Sequence, residues 1–304
     1  MMKRSGIKGK TGRPAGVLFS LCAAFLLTAC AGEGQASDQM APGTDWQAQR
    51  KQYDRRTVQD RRISPVDEAK IESVDLNACE GTLILAGSGD IRLSGSLEGS
   101  VVVDTAEDEL VHLYLDGVEI NAYRGPALRI EEAAKVVVTL MPGTENVLTD
   151  SPDYVEPQGG VSYEEMPACL YSVCDLTVNG DGALRVYGYY EDGIRSKDRI
   201  RLLGGSVSVQ AKGDGIRGND GILIQDASVE VQSEKNGIRA TAQGENDRGV
   251  IEVKDSTVSV VAGEKGVYTA SDLYLYDSRC SVNAVEEKVK AGGTACIAGD
   301  CLNQ

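Results

Sequence analysis

The sequence predicts an all-β fold, a parallel β-helix (a solenoid) of about eight coils with roughly 22 residues in each coil. The first observation is a phrase, Asp/Asn-Gly-Ile-Arg, that begins at Asp192, Asp214 and Asn236 with steps of 22 residues, and looser copies begin at Lys265 and Lys288. A fixed period with one loop-sized insertion is typical of solenoids. The second observation is that short, β-branched runs alternate with Gly, Asp and Asn from about residue 75 onward, which indicates strands and not helices.

One coil, from Gly193 to Gly215, has room for three short strands and three turns. Alternation along each strand predicts which side chains point inward. They are Ile194 and Ser196 on the first strand, Leu203 on the second, and Val207 and Val209 on the third. The glycines that precede each isoleucine predict a turn with unusual backbone angles or a close backbone approach.

Stacked coils bring equivalent residues to about 4.8 Å from one another. The predicted inward ladder consists of Ile194, Ile216, Ile238, Val267 and Val289. The same spacing traces this ladder upstream to Leu170 and Leu128, with an insertion between them that includes the acidic stretch from Thr149 to Pro167. Because single coils need stacking partners, the repeats predict one domain and not several.

The N-terminal region predicts export and a lipid anchor. Residues 1–29 join a basic start to a short apolar stretch, and the sequence Leu27-Thr28-Ala29-Cys30 resembles a bacterial lipobox, in which Cys30 becomes the lipidated first residue. The alternative is an ordinary cleaved signal. We expect residues 30–72 to form a polar tether and residues 73–304 the β-helix. The membrane would be reached through the lipid alone, on the extracytoplasmic side of the bacterial envelope.

Composition excludes several classes of function. The net charge of −15 argues against nucleic acid and against anionic lipid as partners, and it is compatible with bound divalent cations. His112 is the only histidine, which removes histidine-based triads and metal clusters from consideration, and strand alternation predicts that it is exposed. The cysteines left after export allow up to three disulfides of unknown pairing. They are Cys79, Cys169, Cys174, Cys280, Cys296 and Cys301.

Several phrases resemble a bacterial family of carbohydrate-binding domain-containing proteins. They are Ser88 to Gly95, Leu115 to Ile120, Gly143 to Asp150, and the repeated Asp-Gly-Ile-Arg followed by Lys-Asp or Asn-Asp at Asp192 to Asp198 and Asp214 to Asp220. The resemblance covers roughly residues 77–293. It implies a right-handed parallel β-helix that binds calcium and plant-type polysaccharides without cleaving them. The implied architecture is similar to calcium-dependent pectate lyases, particularly polysaccharide lyase family nine.

Acidic residues one coil apart are the predicted metal ligands. The set is Asp192, Asp214 and Asn236, with Asp198 and Asp220 beside them and Asp175 in the preceding coil. Neighbouring carboxylates at about 5 Å repel each other by about 3 kcal/mol at an effective dielectric constant near 20. Ca²⁺, mainly structural, would offset that repulsion. The alternative is that these side chains bind the turn backbone and that arginine supplies the counter-charge.

Basic and aromatic residues are the predicted carbohydrate ligands. Arg195, Arg217 and Arg239 form a row that would bind the carboxylates of an acidic polysaccharide, unless it is only a solvated face paired with the acidic residues. Tyr189 and Tyr190, with Tyr187, Tyr114 and Tyr171, would offer flat faces to sugar rings, or would simply pack.

These features predict a lipid-anchored, non-catalytic protein that binds an acidic plant-type polysaccharide or cellulose. The first alternative is a calcium-dependent uronate lyase, in which Lys197 would be the base. The second is a structural or adhesive surface β-helix without a glycan ligand.

Overall fold

A computed structural model describes residues 70–155, 165–244, 248–298 and 301–302. These residues form 24 strands and one short 3-10 helix, Leu76–Ala78, between β1 and β2. The strands are β1 (Glu72–Asp75), β2 (Gly81–Leu85), β3 (Gly89–Asp104), β4 (Leu110–Asn121), β5 (Leu128–Glu132), β6 (Lys135–Leu140), β7 (Glu145–Thr149), β8 (Ala168–Ser172), β9 (Asp175–Gly180), β10 (Ala183–Gly188), β11 (Asp192–Ser196), β12 (Arg199–Leu203), β13 (Ser206–Ala211), β14 (Ile216–Gly218), β15 (Gly221–Gln225), β16 (Ser228–Ser233), β17 (Ile238–Ala240), β18 (Val250–Lys254), β19 (Thr257–Ala262), β20 (Lys265–Thr269), β21 (Leu273–Tyr276), β22 (Arg279–Ala284), β23 (Glu287–Ala291) and β24 (Ala295–Ile297).

Each strand from β5 to β21 pairs in parallel with the strand three places further along the chain. This arrangement gives three sheet faces. Face 1 contains β5, β8, β11, β14, β17, β20 and β23; face 2 contains β6, β9, β12, β15, β18, β21 and β24; face 3 contains β7, β10, β13, β16, β19 and β22. The long strands β3 and β4 each contribute to more than one face, and β3 joins β1 and β2 to the stack. The predicted parallel β-helix is therefore confirmed, while the count of about eight coils stays a prediction.

The inward ladder is confirmed along face 1. Leu128 pairs with Leu170, Leu170 with Ile194, and the register continues through Ile216, Ile238, Val267 and Val289. The members from Leu128 to Val267 are buried in one continuous apolar core, against which Val289 packs. Burial of apolar surface at about 25 cal/mol per Å² makes this stack of aliphatic side chains the main source of stability.

Within the coil that starts at Gly193, one predicted inward position is wrong. The core residues of β12 are Ile200 and Leu202, so Leu203 lies on the outer side and is only half-buried. The reason is a register one residue earlier than the sequence suggested, which moves a side chain to the other side of a strand. Val207 and Val209 do point into the core, as predicted.

The glycine before each isoleucine is required by a close approach. A Cβ on Gly215 would lie 2.2 Å from Cγ1 of Val231 and 2.7 Å from the carbonyl oxygen of Gly237. Gly193 and Gly237 have the same kind of neighbours one coil away. Their backbone angles are ordinary, so lack of space, and not positive φ, excludes a side chain there.

The predicted signal sequence, Cys30 and the tether up to residue 69 lie outside the described residues, and so does the middle of the acidic insertion, residues 156–164. That insertion falls where it was predicted, between β7 and β8. Among the described residues, none belongs to a helix that is both long and apolar enough to cross a membrane.

Candidate functional site

The acidic ladder lies at the corner where face 3 passes into face 1. Asp192 is the first residue of β11, while Asp214 and Asn236 stand two residues before β14 and β17. All three side chains are buried at this corner. The structure therefore brings these predicted residues together in one row.

Each carboxylate in this row binds the backbone of the next coil. Oδ1 of Asp192 accepts a hydrogen bond from the backbone N–H of Asp214 at 2.8 Å. Oδ1 of Asp214 accepts from the backbone N–H of Asn236 at 3.1 Å and from the side-chain amide of Asn236 at 2.8 Å. These bonds satisfy buried backbone donors at a turn that the strand ladder itself leaves open.

The arginine row lies beside the acidic ladder, on the outer side of face 1. Arg195 pairs in register with Arg217, and Arg217 with Arg239. Nη1 of Arg195 is 3.5 Å from Oδ2 of Asp192, and Nη1 of Arg239 is 3.0 Å from Oδ2 of Asp214. The alternative in which arginine supplies the counter-charge to the ladder is thus the geometry that the structure has.

Arg217 occupies the middle of the row and is shared between two carboxylates. Its Nη1 lies 3.9 Å from Oδ2 of Asp192 and 3.9 Å from Oδ2 of Asp214, a longer distance than either flanking arginine has to its own nearest carboxylate. Burial and the neighbouring charges of Arg195 and Arg239 lower the pKa of Arg217. Burial, together with the charge of Asp214, raises the pKa of Asp192 to about 6.

The row continues beyond the residues that the sequence singled out. In the same register lie Arg129 and Tyr171 upstream, and Tyr268 and Lys290 downstream. The guanidinium of Arg239 lies 5.6 Å from the centre of the Tyr268 ring, within the range of a cation–π contact. Tyr268 was missed as a candidate, although the looser repeat at Lys265 carries the signal: its fourth residue stands where the other repeats have arginine.

The predicted tyrosines separate into exposed and buried groups. Tyr189 is 39% exposed, and its ring lies parallel to that of Tyr187 at 6.2 Å between centres. The ring of Tyr190 stacks on Tyr154 at 3.9 Å. Tyr114 and Tyr171 are buried, so their predicted role as sugar-stacking surfaces is wrong.

Tyr171 points outward but is covered by Met166 and Ala168, which pack with it in a small separate apolar cluster. Tyr114 instead belongs to a polar network on face 2, in which its hydroxyl donates to Oδ1 of Asp90 at 2.9 Å.

His112 is outward-facing as predicted, but the prediction that it is exposed is wrong. Only 4% of its surface is accessible, and its ring nitrogens hydrogen-bond to Oγ1 of Thr139 at 2.6 Å and to the hydroxyl of Tyr114 at 2.8 Å. Burial lowers the pKa of this histidine, against the charge of Asp90. Strand alternation gives the direction of a side chain and carries no information about what lies on top of it.

The second set of predicted metal ligands lies at the edge between faces 1 and 2. Asp175 accepts a hydrogen bond from Arg201 at 3.0 Å, and Asp220 from Arg248 at 2.6 Å. Asp198 lies between them, and burial together with both neighbouring carboxylates raises its pKa. Lys197, the base that a lyase would need, is exposed beside Asp198.

The carboxylates of the acidic ladder fit a calcium ion poorly. In the acidic ladder, Oδ1 of each aspartate already accepts hydrogen bonds from backbone donors, and Oδ2 faces arginine. No three or more acidic, histidine or cysteine side chains of the described residues are grouped around a common point in a way that would hold a metal ion. Ca²⁺ needs 6–8 oxygen ligands, and the oxygens of this ladder are already engaged. The geometry therefore supports arginine as the partner of these acids.

The six cysteines are free thiols in this structure. Cys280 and Cys301 lie on neighbouring rungs, since the backbone N–H of Cys280 donates to the carbonyl oxygen of Cys301 at 2.8 Å. Cysteines far apart in the sequence are therefore neighbours in the fold.

The parallel β-helix described above is shared with a solved protein. The solved structure of a polysaccharide lyase-like protein from C. thermocellum, as a gadolinium derivative, superposes with a TM-score of 0.71 at 25% identity, covering 76% of this chain and 98% of that one. A family model for carbohydrate-binding domain-containing proteins matches residues 80–299. A carbohydrate-binding domain-containing protein of Acetivibrio thermocellus is 32% identical over 289 residues, which is 94% of this chain and 96% of the relative. The chain belongs to the family of carbohydrate-binding domain-containing proteins.

Proposed function

We propose that this protein binds a carboxylate-bearing polysaccharide along the arginine row of face 1, without cleaving it. The observation that supports the proposal is the sharing of Arg217 between Asp192 and Asp214 at equal distances. The third position of the acidic ladder is Asn236, so three guanidiniums face two carboxylates. A local excess of positive charge is therefore held at a half-buried surface of a chain whose net charge is −15.

The geometry of the row suits a polymer with regularly spaced carboxylates. Successive arginines repeat at the strand spacing of about 4.8 Å, and the planar guanidinium fork matches a carboxylate in two parallel hydrogen bonds. Tyr268 at one end of the row offers an aromatic face for a sugar ring, and Tyr189, in the turn just before β11, offers another.

Binding without cleavage is supported by the setting of Lys197, the base that the sequence suggests for a lyase. Lys197 is exposed, and none of the described side chains accepts a hydrogen bond from its amine or pairs with its charge. Proton abstraction beside a uronate carboxylate needs a base that is positioned and adapted to that step. The uronate lyase nevertheless remains the second candidate, because the solved structural relative is called polysaccharide lyase-like.

The decisive experiment is retention of the protein on insoluble polygalacturonate, with cellulose as the uncharged comparison. We expect retention on polygalacturonate, weakened by salt, and a loss of at least tenfold in affinity for Arg217→Ala, because that arginine is the one least neutralised by its own acids. Arg217→Lys keeps the positive charge but loses the two parallel hydrogen bonds of the guanidinium. Its affinity for polygalacturonate should lie between those of the wild type and Arg217→Ala. The matched control is Arg185→Ala, an exposed arginine on face 3.

Three outcomes would change the proposal. Unsaturated uronate products, followed at 235 nm, would make the protein a lyase and would put Lys197→Ala under test. Retention on cellulose that Arg217→Ala leaves unchanged would move the binding surface away from the arginine row. Retention on neither polymer would leave the structural or adhesive surface β-helix as the remaining interpretation.

We propose further that the protein acts outside the cytoplasm, attached to the bacterial envelope by a lipid on Cys30. The support is the basic and apolar N-terminal stretch that ends in Leu27-Thr28-Ala29-Cys30. Cys30→Ala should move the protein from the membrane fraction to the soluble fraction. An unchanged distribution would contradict the anchor and leave an ordinary cleaved signal.

Calcium binding stays a prediction from the sequence. Asp198 is its best remaining candidate, since its carboxylate has no hydrogen bond or ion pair of its own among the described residues, while Asp175 and Asp220 lie near enough to raise its pKa. A calcium titration of the metal-free protein, followed by calorimetry, tests it. Heat that Asp198→Asn abolishes would support the site; no heat in either protein would leave arginine as the sole counter-charge.

A further inference from the structure

A short segment after β24 joins the apolar core at its C-terminal end. There the backbone N–H of Cys280, on β22, donates a hydrogen bond to the carbonyl oxygen of Cys301 at 2.8 Å. Cys301 belongs to the same core cluster as Cys280, and Leu302 packs against that cluster. Residues 301–302 therefore add a partial rung to face 3 beyond β22.

The side chains of Cys280 and Cys301 are buried close together. Cys280 is 5% exposed and Cys301 is 2% exposed. A backbone N–H···O bond of this length places the two Cα atoms about 5–6 Å apart, within the range of about 4.4–6.8 Å that a disulfide spans. Burial and the neighbouring charge of Cys301 raise the pKa of Cys280 to about 12, which is a further sign that the two sulfur atoms lie near each other.

The other described cysteines are less suitable partners for Cys280. Cys296 pairs in register with Tyr274 on face 2, and the residue after it, Ile297, packs against the core. Strand alternation therefore places the thiol of Cys296 on the outer side of face 2. Three further cysteines lie in coils near the start of the stack, at least four rung steps, or about 19 Å, from β22. They are Cys79, Cys169 and Cys174.

The surroundings of Cys280 suit a disulfide. Its register partner on β19 is Val258, and the next inward side chain on β22 is Val282, so the core around it is aliphatic. A disulfide carries neither a charge nor an S–H donor. It can therefore be buried among aliphatic side chains without leaving a polar group unpaired.

We propose that Cys280 and Cys301 form a disulfide that fastens the last coil of the β-helix to the rest of the domain. The loop that this link closes contains both β23 and β24. A terminal coil has a stacking neighbour on one side only, so it opens more easily than a coil in the middle of the stack. The link restrains the coil at that weak end. This inference concerns two thiols and not the arginine row, so it does not depend on the polysaccharide proposal.

The link forms by thiol–disulfide exchange, with a small-molecule or protein disulfide, such as oxidised glutathione, as the oxidant. The thiolate of one cysteine attacks a sulfur of the oxidant, whose S–S bond breaks and releases one thiol. The other cysteine attacks the mixed disulfide, forms the new S–S bond and releases the second thiol. The two cysteine thiols lose two protons and two electrons in total, and the oxidant takes up both and becomes two thiols.

The exchange belongs to the stage of folding at which the last coil is still open. In the folded protein the raised pKa of Cys280 keeps its thiol protonated, and a protonated thiol is a poor nucleophile. We therefore expect the oxidant to act during folding more readily than on the closed coil.

Disulfide mapping of the full chain tests the pairing. The reduced protein is refolded with oxidised glutathione, the remaining thiols are alkylated, and digestion with trypsin and Asp-N places Cys280, Cys296 and Cys301 on three separate peptides. We expect the link between Cys280 and Cys301 to exceed every other cysteine link at least tenfold in yield. The matched control, Cys296→Ser, should leave this link unchanged. A dominant link from Cys280 to another cysteine, or recovery of both cysteines in alkylated form, would overturn the proposal.

Hydrogen exchange of the backbone amides tests whether the link fastens the last coil. We expect the amides of β23 to exchange at least tenfold more slowly in the oxidised protein than in the reduced one, while β15, in the middle of the stack, exchanges alike in both. After oxidative refolding, Cys301→Ser should match the reduced wild type and Cys296→Ser the oxidised wild type. Equal exchange of β23 in the linked and the reduced protein would overturn the role of the disulfide in fastening this coil.

Discussion

Faces 2 and 3 are built from the same kind of strand, yet their outer sides differ completely. Both place alternate aliphatic residues in the common core, as Leu202 on face 2 and Val207 on face 3 show. Outward from the core, face 3 presents exposed polar side chains, whereas face 2 buries histidine, threonine, arginine and glutamate. The comparison teaches that two faces of one β-helix can share the same core and still differ in how much water reaches their outer side chains.

The largest expected difference in stability between the faces comes from placing a charged side chain on the outer side of each. Leu223→Asp, at a buried outward position of face 2, should lower the free energy of unfolding by about 3 kcal/mol or more, because a carboxylate would be buried. Val261→Asp, at an outward position of face 3 that is 49% exposed, should change it by less than about 1 kcal/mol. Denaturant titration of both variants measures the difference, and equal losses would mean that face 2 is open in solution.

Two comparable ion pairs, one on each face, should give the next largest difference in stability. Arg201 on face 2 contacts Asp175 at 3.0 Å and has a side chain only 10% exposed, while Arg185 on face 3 contacts Glu145 at 2.7 Å with half of its side chain exposed. Arg201→Ala should cost about 2–4 kcal/mol, because it removes a buried side chain together with its packing, and Arg185→Ala less than about 1 kcal/mol. Thermal or chemical unfolding of the two single variants compares them. A larger cost for Arg185→Ala would contradict the burial of Arg201 on face 2.

The buried corner beside face 3 should appear in the pH dependence of stability. Since the pKa of Asp192 is about 6 when folded and near 3.9 when unfolded, the folded protein holds the proton more tightly. Stability from this group is therefore present below about pH 4 and is lost as the pH rises to about 6, by roughly 2–3 kcal/mol. Asp192→Asn should remove this slope. A difference between wild type and variant that does not change over that window would mean that the carboxylate is already ionised in the fold.

His112 should make the smallest contribution to the pH dependence of stability. Its sign should be opposite to that of Asp192. Burial lowers its pKa, so the folded protein keeps the ring neutral while the unfolded chain takes up a proton below about pH 6.5. Stability from this group is present above that pH and falls as the solution is acidified. Subtracting the stability of His112→Asn at each pH isolates the contribution from that of Asp192. A wild type that gained stability relative to this variant on acidification would show that the ring is exposed and charged.

Much of the candidate site could be read from the repeats. The period of 22 residues placed Arg195, Arg217 and Arg239 in one row, since stacked coils put equivalent residues side by side. It could have placed Tyr268 there too, had the looser repeat been aligned by position and not by residue type. What the period could not provide is the sharing of two carboxylates among three arginines, because that depends on side-chain rotamers across neighbouring coils.

By itself the sequence determined the strand period, the parallel stacking, the inward ladder from Leu128 to Val289 and the positions that only glycine can occupy. These follow from local alternation and from repetition, which every coil carries in its own residues. Tertiary structure alone decided the exposure of His112, Tyr114 and Tyr171, the side of the strand on which Leu203 lies, and the pairing of the buried aspartates with arginine. Alternation fixes only the direction of a side chain relative to its own strand. Whether water reaches that side chain depends on residues far away in the chain.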